Sequence, residues 1–180
     1  DCAYAEGRIA PAARTVKLPD GIDEKTAASM MVRGMTARYL LKATYAVKPG
    51  DTIVIHAAAG GVGLIVSQWA KQLGATVIGT VGAPEKAELA RGHGASHVIL
   101  PGEDLPQRVK EITGGALCDV VYDGVGKATF HESLEAVRPR GTVALFGAAS
   151  GPVEPIDPQL LNKHGSIFLT RPSIGAWTAQ

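Results

Sequence analysis

The sequence predicts an α/β domain built on a doubly wound, six-stranded parallel sheet, and three observations lead to that prediction. Six short apolar segments alternate with helical segments along the 180-residue chain. Each apolar segment is nearly continuous, as a strand that is buried on both faces requires. Short breakers separate the segments, in a chain that contains 22 glycines and 11 prolines. A helix between successive strands favours parallel pairing, because a parallel connection has to cross back over the sheet.

The elements follow one another without a long gap. A helical pattern begins at Asp23 and runs to Val47, with Gly34 as its expected break. Strands are then expected over residues 52–57, 76–81, 97–100, 118–123, 141–147 and 166–171. The six strands divide into two mononucleotide-type halves, which is the doubly wound arrangement.

The helix after the first strand has the clearest pattern. Its apolar residues recur at helical spacing on one face and are Val62, Ile65, Val66, Trp69, Ala70 and Leu73. Gly74 follows as the expected C-terminal stop, and Pro84 suits the first turn of the next helix. Further helices are expected over residues 103–115 and 127–137 and near residues 158–165.

Charge and composition exclude several classes of function. The net charge is +1, so the sequence carries no basic footprint for nucleic acid. No apolar run reaches the length of a membrane span and no secretory signal opens the sequence, so we expect a cytoplasmic protein. Cys2 and Cys118 lie far apart without a CxxC motif, so neither a zinc site nor a disulfide is expected. The segment between His93 and His97 ends a helix, so a metal pair is not expected there.

The first strand runs directly into the segment AAAGGVG, which matches a dinucleotide-binding turn. Against the pattern G-x-G-x-x-G, the three glycine positions are occupied by Ala58, Gly60 and Gly63, so the first glycine is replaced. Gly60 lets the backbone approach a pyrophosphate, and Gly63 lets the following helix pack closely on the strand. The free N–H groups near Gly61 and Val62 then face an anion at the helix N-terminus.

The end of the second strand predicts which dinucleotide is bound. An NAD site usually presents a carboxylate there to the adenosine ribose, about twenty residues past the glycines. The corresponding segment, Thr80 to Gly82, contains no acid, and Lys86 follows one helical turn later. Gly82 leaves room for a 2′-phosphate and Lys86 supplies a cation, so the sequence favours NADP over NAD. The missing carboxylate also disfavours S-adenosylmethionine.

The segments AAAGGVG, VKEITGG, DVVYDGVG, SLEAVRPRGTVALFG and TRPS occur together in this sequence. In combination they resemble the zinc-independent, zeta-crystallin-like quinone oxidoreductases of the medium-chain dehydrogenase/reductase superfamily. The likeness covers nearly the whole chain. It implies a Rossmann fold, NADPH as the cofactor and the reduction of quinones or related small electrophiles. It also implies a homodimer formed through the edge strand over residues 166–171.

The resemblance also implies which residues contact the cofactor. They are Thr36, Gly60, Gly61, Val62, Thr80, Gly82, Lys86, Asp123, Val125, Phe146, Gly147, Thr170 and Arg171. Two positions differ from the family's pattern: Leu100–Pro101 replaces an aromatic residue or histidine after the third strand, and Gly124 stands where serine is common. No catalytic residue and no metal ligand is assigned, because the nicotinamide carries the hydride chemistry in this family.

The resemblance implies that the chain is part of a longer enzyme. Residues 1–22 are expected to be the tail of a preceding GroES-like catalytic domain, residues 23–173 the NADP-binding domain, and residues 174–180 the start of the return to the catalytic domain. With most of the companion domain missing, the 180 residues alone should bind NADPH weakly and reduce little quinone.

Two alternatives stay open at this point. One is an alkenal or enoyl reductase of the same superfamily, and the other is an NADPH-binding protein without turnover. A short-chain dehydrogenase is disfavoured because no Tyr-x-x-x-Lys motif follows Gly63.

Overall fold

The computed structural model describes residues 5–178 of the chain, so Cys2 lies outside the described residues. The chain divides into two compact units, Asp1–Met31 and Val32–Gln180. The division falls within helix α1 (Glu24–Tyr39).

The first unit contains a 3-10 turn over Ala12–Arg14 and the beginning of α1. The start of the helix is capped by a side chain. The carboxylate of Asp23 accepts hydrogen bonds from the Thr26 amide at 2.9 Å and from the Thr26 hydroxyl at 2.8 Å. The helix therefore begins where the sequence predicts it, because the cap satisfies one of its unpaired N–H groups.

Helix α1 does not break at Gly34, which corrects the expectation from the sequence. The helix continues to Tyr39 and passes into a π-helical turn over Leu40–Thr44. A glycine inside a helix costs about 1 kcal/mol relative to alanine but keeps its backbone hydrogen bonds. Leu40 and Leu41 are fully buried, and this packing outweighs the low helix propensity of one glycine.

The second unit is built on one six-stranded sheet in which every pair of neighbours is parallel. The strands are β1 (Thr52–Ile55), β2 (Thr76–Thr80), β3 (His97–Ile99), β4 (Cys118–Asp123), β5 (Val137–Leu145) and β6 (Phe168–Thr170). Their order across the sheet is β3-β2-β1-β4-β5-β6. This order places the switch point between β1 and β4, so the predicted Rossmann fold is confirmed.

The remaining helices lie close to their predicted places, except the last, α7, which the sequence did not predict. They are α2 (Gly61–Gln72), α3 (Ala87–Gly92), α4 (Leu105–Ile112), α5 (Phe130–Ala136), α6 (Gln159–Lys163) and α7 (Ile174–Thr178). Gly74 has a φ of 84° just past the end of α2, as a glycine stop requires. Pro84 begins a 3-10 turn that runs into α3.

The core lies on both faces of the sheet, and alternate residues of β1 belong to different clusters. Ile53 and Ile55 pack with Val66 of α2 on one face. Val54 packs with Leu134 of α5 on the other face. The burial of both faces explains why the strands are continuous apolar runs in the sequence.

Candidate dinucleotide-binding site

Most of the residues singled out from the sequence lie at, or just after, the carboxyl ends of the parallel strands. These carboxyl ends form one edge of the sheet. In chain order, the residues at or after the end of each strand are Gly60, Gly61 and Val62 for β1, Thr80, Gly82 and Lys86 for β2, Asp123 and Val125 for β4, Phe146 and Gly147 for β5, and Thr170 and Arg171 for β6. Thr36 lies instead on α1. Ligands of doubly wound sheets bind at this edge, beside the switch point.

The turn between β1 and α2 has a backbone suited to a pyrophosphate. Ala57 adopts the left-handed conformation with a φ of 53°, and the Gly60 N–H donates back to the Ala57 carbonyl at 2.8 Å. Gly60 is the exposed N-cap residue of α2, and no side chain of the described residues caps this helix. The first N–H groups of α2 are therefore free to bind an anion.

Gly63 sits where a side chain would collide with the backbone of the turn between β1 and α2. A Cβ added there would lie 2.7 Å from the Ala58 Cα and would overlap the Ala57 carbonyl oxygen. Val62, its neighbour, is half-buried and packs against the core. Gly63 therefore sets the close approach of α2 to β1, as the sequence predicts.

The end of β2 is open and carries no carboxylate. Gly82 is exposed, and a Cβ added there would have no heavy atom of the described residues within 4 Å. Lys86 is exposed at the end of the 3-10 turn Pro84–Lys86. Among the residues that the structure describes, no acidic side chain forms an ion pair with Lys86. The space and the free cation that the sequence predicts are both present.

Arg33 is a residue of this region that the sequence pattern did not identify. Its side chain lies against Gly61: a Cβ added at Gly61 would meet the Arg33 Cδ at 2.6 Å and Cζ at 2.7 Å. The guanidinium thus lies beside the N-terminus of α2, and within residues 5–178 no carboxylate pairs with it. The signal in the sequence is its spacing of three residues from Thr36, which places both on one side of α1.

A cavity of about 400 Å³ opens beside Thr80. Leu100 and Pro101, which differ from the family's pattern, form an apolar part of its wall. Four acidic residues also line it: Glu103, Asp104, Glu132 and Glu135. Burial raises the pKa of Glu132, and the nearby Asp104 and Glu135 carboxylates add to the shift. The cavity therefore suits an uncharged, hydrogen-bonding group better than a phosphate.

The loops after β4 and β5 are in direct backbone contact. The Phe146 N–H donates to the Asp123 carbonyl at 2.8 Å. A Cβ added at Gly147 would lie 2.8 Å from the Gly124 Cα, and one added at Gly124 would lie 2.8 Å from the Phe146 Cζ. Gly124, where the resembled family commonly has serine, therefore leaves room for the Phe146 ring.

The side chain of Asp123 is fully buried and engaged with the protein. One carboxylate oxygen accepts the amides of Val125 at 2.8 Å and Gly126 at 2.9 Å. The Thr129 hydroxyl lies 2.9 and 2.8 Å from the two carboxylate oxygens. The second oxygen also accepts the Ser133 hydroxyl at 2.9 Å. Asp123 thus shapes the loop over residues 124–126 and the start of α5.

His56 extends this network toward β2. Its Nε2 lies 3.0 Å from the Ser133 Oγ, and its Nδ1 lies 3.1 Å from the Thr80 Oγ1. Burial lowers the pKa of His56, against the opposing charge of Asp123, so the imidazole is neutral. The sequence alone did not reveal this group, because Thr80 and Ser133 lie 24 and 77 residues away along the chain.

Three further predicted residues lie on α1 and at the end of β6, and none of them joins this hydrogen-bonded group. Thr36 is buried, and its hydroxyl donates to the Val32 carbonyl at 2.8 Å. Thr170 is half-buried at the end of β6, and Arg171 is exposed and donates to the Pro172 carbonyl at 3.2 Å.

Residues 5–178 contain no group of three or more His, Cys, Asp or Glu side chains placed to hold a metal ion. Within the same residues, no helix has the length and apolar character of a membrane span. Cys118 is fully buried, and burial raises the pKa of its thiol, so it is an unreactive core residue.

Known proteins share this fold and much of this sequence. Residues 61–175 match a family model described as zinc-binding dehydrogenase. A quinone oxidoreductase of Pseudomonas aeruginosa is 50% identical over 176 residues, which cover 97% of this chain and 54% of that protein. A 2-haloacrylate reductase of a Burkholderia species is 49% identical over 176 residues, covering 96% of this chain and 53% of that protein. The solved structure of Escherichia coli quinone oxidoreductase complexed with NADPH matches with a TM-score of 0.90 at 47% identity, covering 92% of this chain and 52% of that chain.

The strand order and the glycine turn define a Rossmann-fold domain of the dinucleotide-binding class. More particularly, the chain belongs to the zinc-binding dehydrogenase family, and its resemblance to the zinc-independent quinone oxidoreductases is confirmed. The chain spans about half the length of the relatives it matches. The family's description mentions zinc, but the described residues offer no ligand set for it.

Proposed function

We propose that this chain is the NADPH-binding half of a quinone reductase and that it presents the nicotinamide to a quinone-like electrophile. The observation that carries the proposal is the N-terminus of α2, which no side chain caps within residues 5–178, held close to β1 by Gly63 and flanked by the Arg33 guanidinium. Relatives named quinone oxidoreductase support it, one of them solved as a complex with NADPH.

Residues around α2 and β2 would hold the phosphates. The backbone N–H groups of Gly61 and Val62 bind the pyrophosphate, which passes Gly60 closely, and Arg33 adds a positive charge. Beside Thr80, Gly82 leaves space for the 2′-phosphate and Lys86 neutralises it. The acidic cavity next to Thr80 takes the uncharged adenine.

The loops after β4 and β5 would face the nicotinamide end. Val125, Phe146 and Gly147 form a wall whose position is set by backbone contacts. Asp123 contributes through the loop that its buried carboxylate holds. Thr36, Thr170 and Arg171 complete this end of the site. NADPH, when bound, supplies the hydride, and the chain's own residues bind it, orient it and restrict water around it.

The acceptor has a second candidate. The 2-haloacrylate reductase relative at 49% identity supports an activated alkene as the alternative acceptor. Following NADPH oxidation by the full-length protein, with a simple quinone and with an activated alkene in parallel, decides between the two. If NADPH is oxidised with neither the quinone nor the alkene, the result favours the remaining alternative, an NADPH-binding protein without turnover.

We also propose the larger organisation that the resemblance implies. Residues 23–173 form the NADP-binding domain, residues 1–22 belong to the end of a preceding catalytic domain, and residues 174–180 lead back to it. The protein is cytoplasmic and forms a homodimer through the edge strand over residues 166–171.

Calorimetric titration with NADPH and NADH tests the cofactor proposal. NADPH should bind more tightly. Lys86→Ala should weaken NADPH by about 1 kcal/mol, or roughly fivefold, and leave NADH unchanged, because an exposed ion pair contributes little more. Gly82→Asp should reverse the preference by charge alone, since its Cβ meets no neighbour within 4 Å. Lys71→Ala, at an exposed lysine in the last turn of α2, is the matched control. Equal affinities for the two nucleotides would contradict the proposal.

The 180-residue chain alone should bind NADPH measurably and reduce little quinone. Enzymes of this architecture react in a cleft that a second domain closes, and that domain positions the substrate and excludes water. NADPH absorbance, followed side by side for the chain and the full-length protein, gives the answer. Equal turnover by the chain alone would show that it contains the whole active site.

A further inference from the structure

We infer that His56 is a positioning residue of this site, which joins Thr80 at the end of β2 to Asp123 at the end of β4 through one directed chain of hydrogen bonds. These hydrogen bonds fix the position of the adenosine side of the site relative to the loop over residues 124–126. The inference rests on the proposed dinucleotide function and assigns a role to a residue that acts only through others.

The direction of the chain follows from its acidic end. A carboxylate only accepts hydrogen bonds, so the Ser133 hydroxyl donates to Asp123 at 2.9 Å. The Ser133 Oγ then accepts the N–H of His56 Nε2 at 3.0 Å. With its proton on Nε2, His56 has a lone pair on Nδ1, and the Thr80 hydroxyl donates to it at 3.1 Å. Three hydrogen bonds therefore run in one direction from Thr80 to Asp123.

One competing acceptor lies near the Ser133 hydroxyl. The Thr129 carbonyl is also 2.9 Å from the Ser133 Oγ, but it already accepts the Ser133 backbone N–H at 2.9 Å. A hydrogen bond to a carboxylate is roughly twice as strong as one to a neutral oxygen. The Ser133 proton therefore goes to Asp123, and the Nε2–H tautomer of His56 follows.

The group is not a nucleophilic triad, although it contains Ser, His and Asp. In such a triad the carboxylate contacts the imidazole and the serine is open to substrate. Here Asp123 contacts Ser133, and both side chains are fully buried. Burial also strengthens each hydrogen bond, because little water competes for the donors. The arrangement fixes the positions of the residues that it joins and exposes no nucleophile to a substrate.

Both ends of the chain lie on parts of the proposed site. The Thr80 carbonyl accepts the Ala58 N–H at 2.8 Å, so the strand end is tied to the glycine turn. Asp123 accepts the amides of Val125 and Gly126, so the other end is tied to the loop beside the nicotinamide. His56 is 3% exposed, and a displacement at one end is transmitted through its rigid ring to the other.

The tautomer can be measured on the native chain without any cofactor. Nitrogen-15 NMR of the imidazole distinguishes a protonated Nε2 from a protonated Nδ1. We expect the neutral Nε2–H form at neutral pH. The Nδ1–H form or the doubly protonated ring would overturn the inference, whether or not the chain binds a nucleotide.

Two amide substitutions separate the two ends of the chain. His56→Asn places an amide near the Nδ1 position and keeps the contact with Thr80, whereas His56→Gln places one near Nε2 and keeps the contact with Ser133. The probes are NADPH and 2′,5′-ADP, which occupies only the adenosine side. His56→Asn should weaken NADPH by about fivefold and leave 2′,5′-ADP unchanged, and His56→Gln should weaken both, as expected for loss of one buried hydrogen bond. His97→Asn, at an exposed histidine of β3, is the control.

A purely structural role for His56 would give both variants the same affinities for NADPH and for 2′,5′-ADP. That result would overturn this inference but leave the proposed function intact. Failure of the native chain to bind NADPH would overturn the proposed function and this role with it. If a variant does not fold, which a thermal melt reports, the tautomer measurement on the native chain still decides.

Discussion

Ala58 can occupy the first glycine position of the turn because the residue that faces it on β2, Gly79, has no side chain. Its methyl group is fully buried, and a Cβ added at Gly79 of β2 would lie 2.5 Å from the Ala58 Cβ. The pattern G-x-G-x-x-G therefore tolerates alanine at its first position here, since Gly79 provides the space. Gly63 has no such compensation, because it faces backbone atoms that cannot move aside.

Gly63→Ala should destabilise the chain by about 1–3 kcal/mol, as overpacking against a rigid neighbour does. The new Cβ would lie 2.7 Å from the Ala58 carbonyl oxygen, so α2 has to shift away from β1 and NADPH binding should weaken as well. Urea unfolding and calorimetric titration measure the two effects. Gly34→Ala in α1 is the control: its Cβ meets nothing within 4 Å, and it should stabilise the chain by roughly 0.5–1 kcal/mol. Unchanged stability of Gly63→Ala would contradict the packing argument.

At the scale of elements, the junction of β1, β2, β4 and α5 should make stability depend on pH. Burial lowers the pKa of His56 in the folded chain, with Asp123 opposing the shift, whereas an unfolded histidine titrates near pH ~6.5. Below that pH the unfolded chain binds the additional proton. The stability is therefore complete above pH ~6.5 and falls as the pH drops toward the folded pKa, by at most about 1.4 kcal/mol per pH unit.

Urea unfolding at a series of pH values between about 7.5 and 5.5 measures this dependence. His56→Gln should remove most of the slope. The acidic residues of the cavity beside Thr80 stay in place in both proteins, so their contribution cancels in the comparison. A slope that persists unchanged in the variant would contradict its assignment to His56.

The regular elements were predictable because each one carries its own periodic signal. β5 shows where that signal stops. The sequence predicts a strand from Gly141, but β5 begins at Val137. The register shifts between Cys118 and Val120 of β4, and Arg140 has a φ of 59°. A bulge thus lies between the predicted helix and the predicted strand, because its conformation is set by pairing with β4 and not by local preference.

The candidate site was predictable at the glycine turn and less so elsewhere. Gly60 and Gly63 follow from a contiguous motif and the strand and helix beside it. His56 contacts Thr80 and Ser133, which only the folded sheet brings near. The only sequence signal for Arg33 is its spacing of three residues from Thr36. The family resemblance predicts that Asp123 contacts the cofactor. Its side chain is buried and holds the loop over residues 124–126.

At the scale of the whole molecule, the open edge of the sheet predicts self-association. β6 is the last strand in the sheet order, and Phe168 on it is 63% exposed. An unpaired apolar edge is usually covered, so we expect a homodimer with the two copies of β6 side by side around a two-fold axis. Light scattering measures the mass, and Phe168→Asp should give a monomer. Leu89→Asp, at an exposed apolar residue of α3, should leave the mass unchanged. A monomeric native chain at high concentration would contradict the expectation.

β1 and β4 are neighbours in the sheet although two strands separate them in the chain. The Thr52 N–H donates to the Asp119 carboxylate across 67 residues, whereas the other neighbouring pairs join consecutive strands. Closing so long a loop slows folding, because its entropic cost precedes the contacts that compensate it. In the nascent chain, one edge of β1 therefore stays unpaired until β4 has been synthesised, and an exposed strand edge of this kind is prone to aggregation.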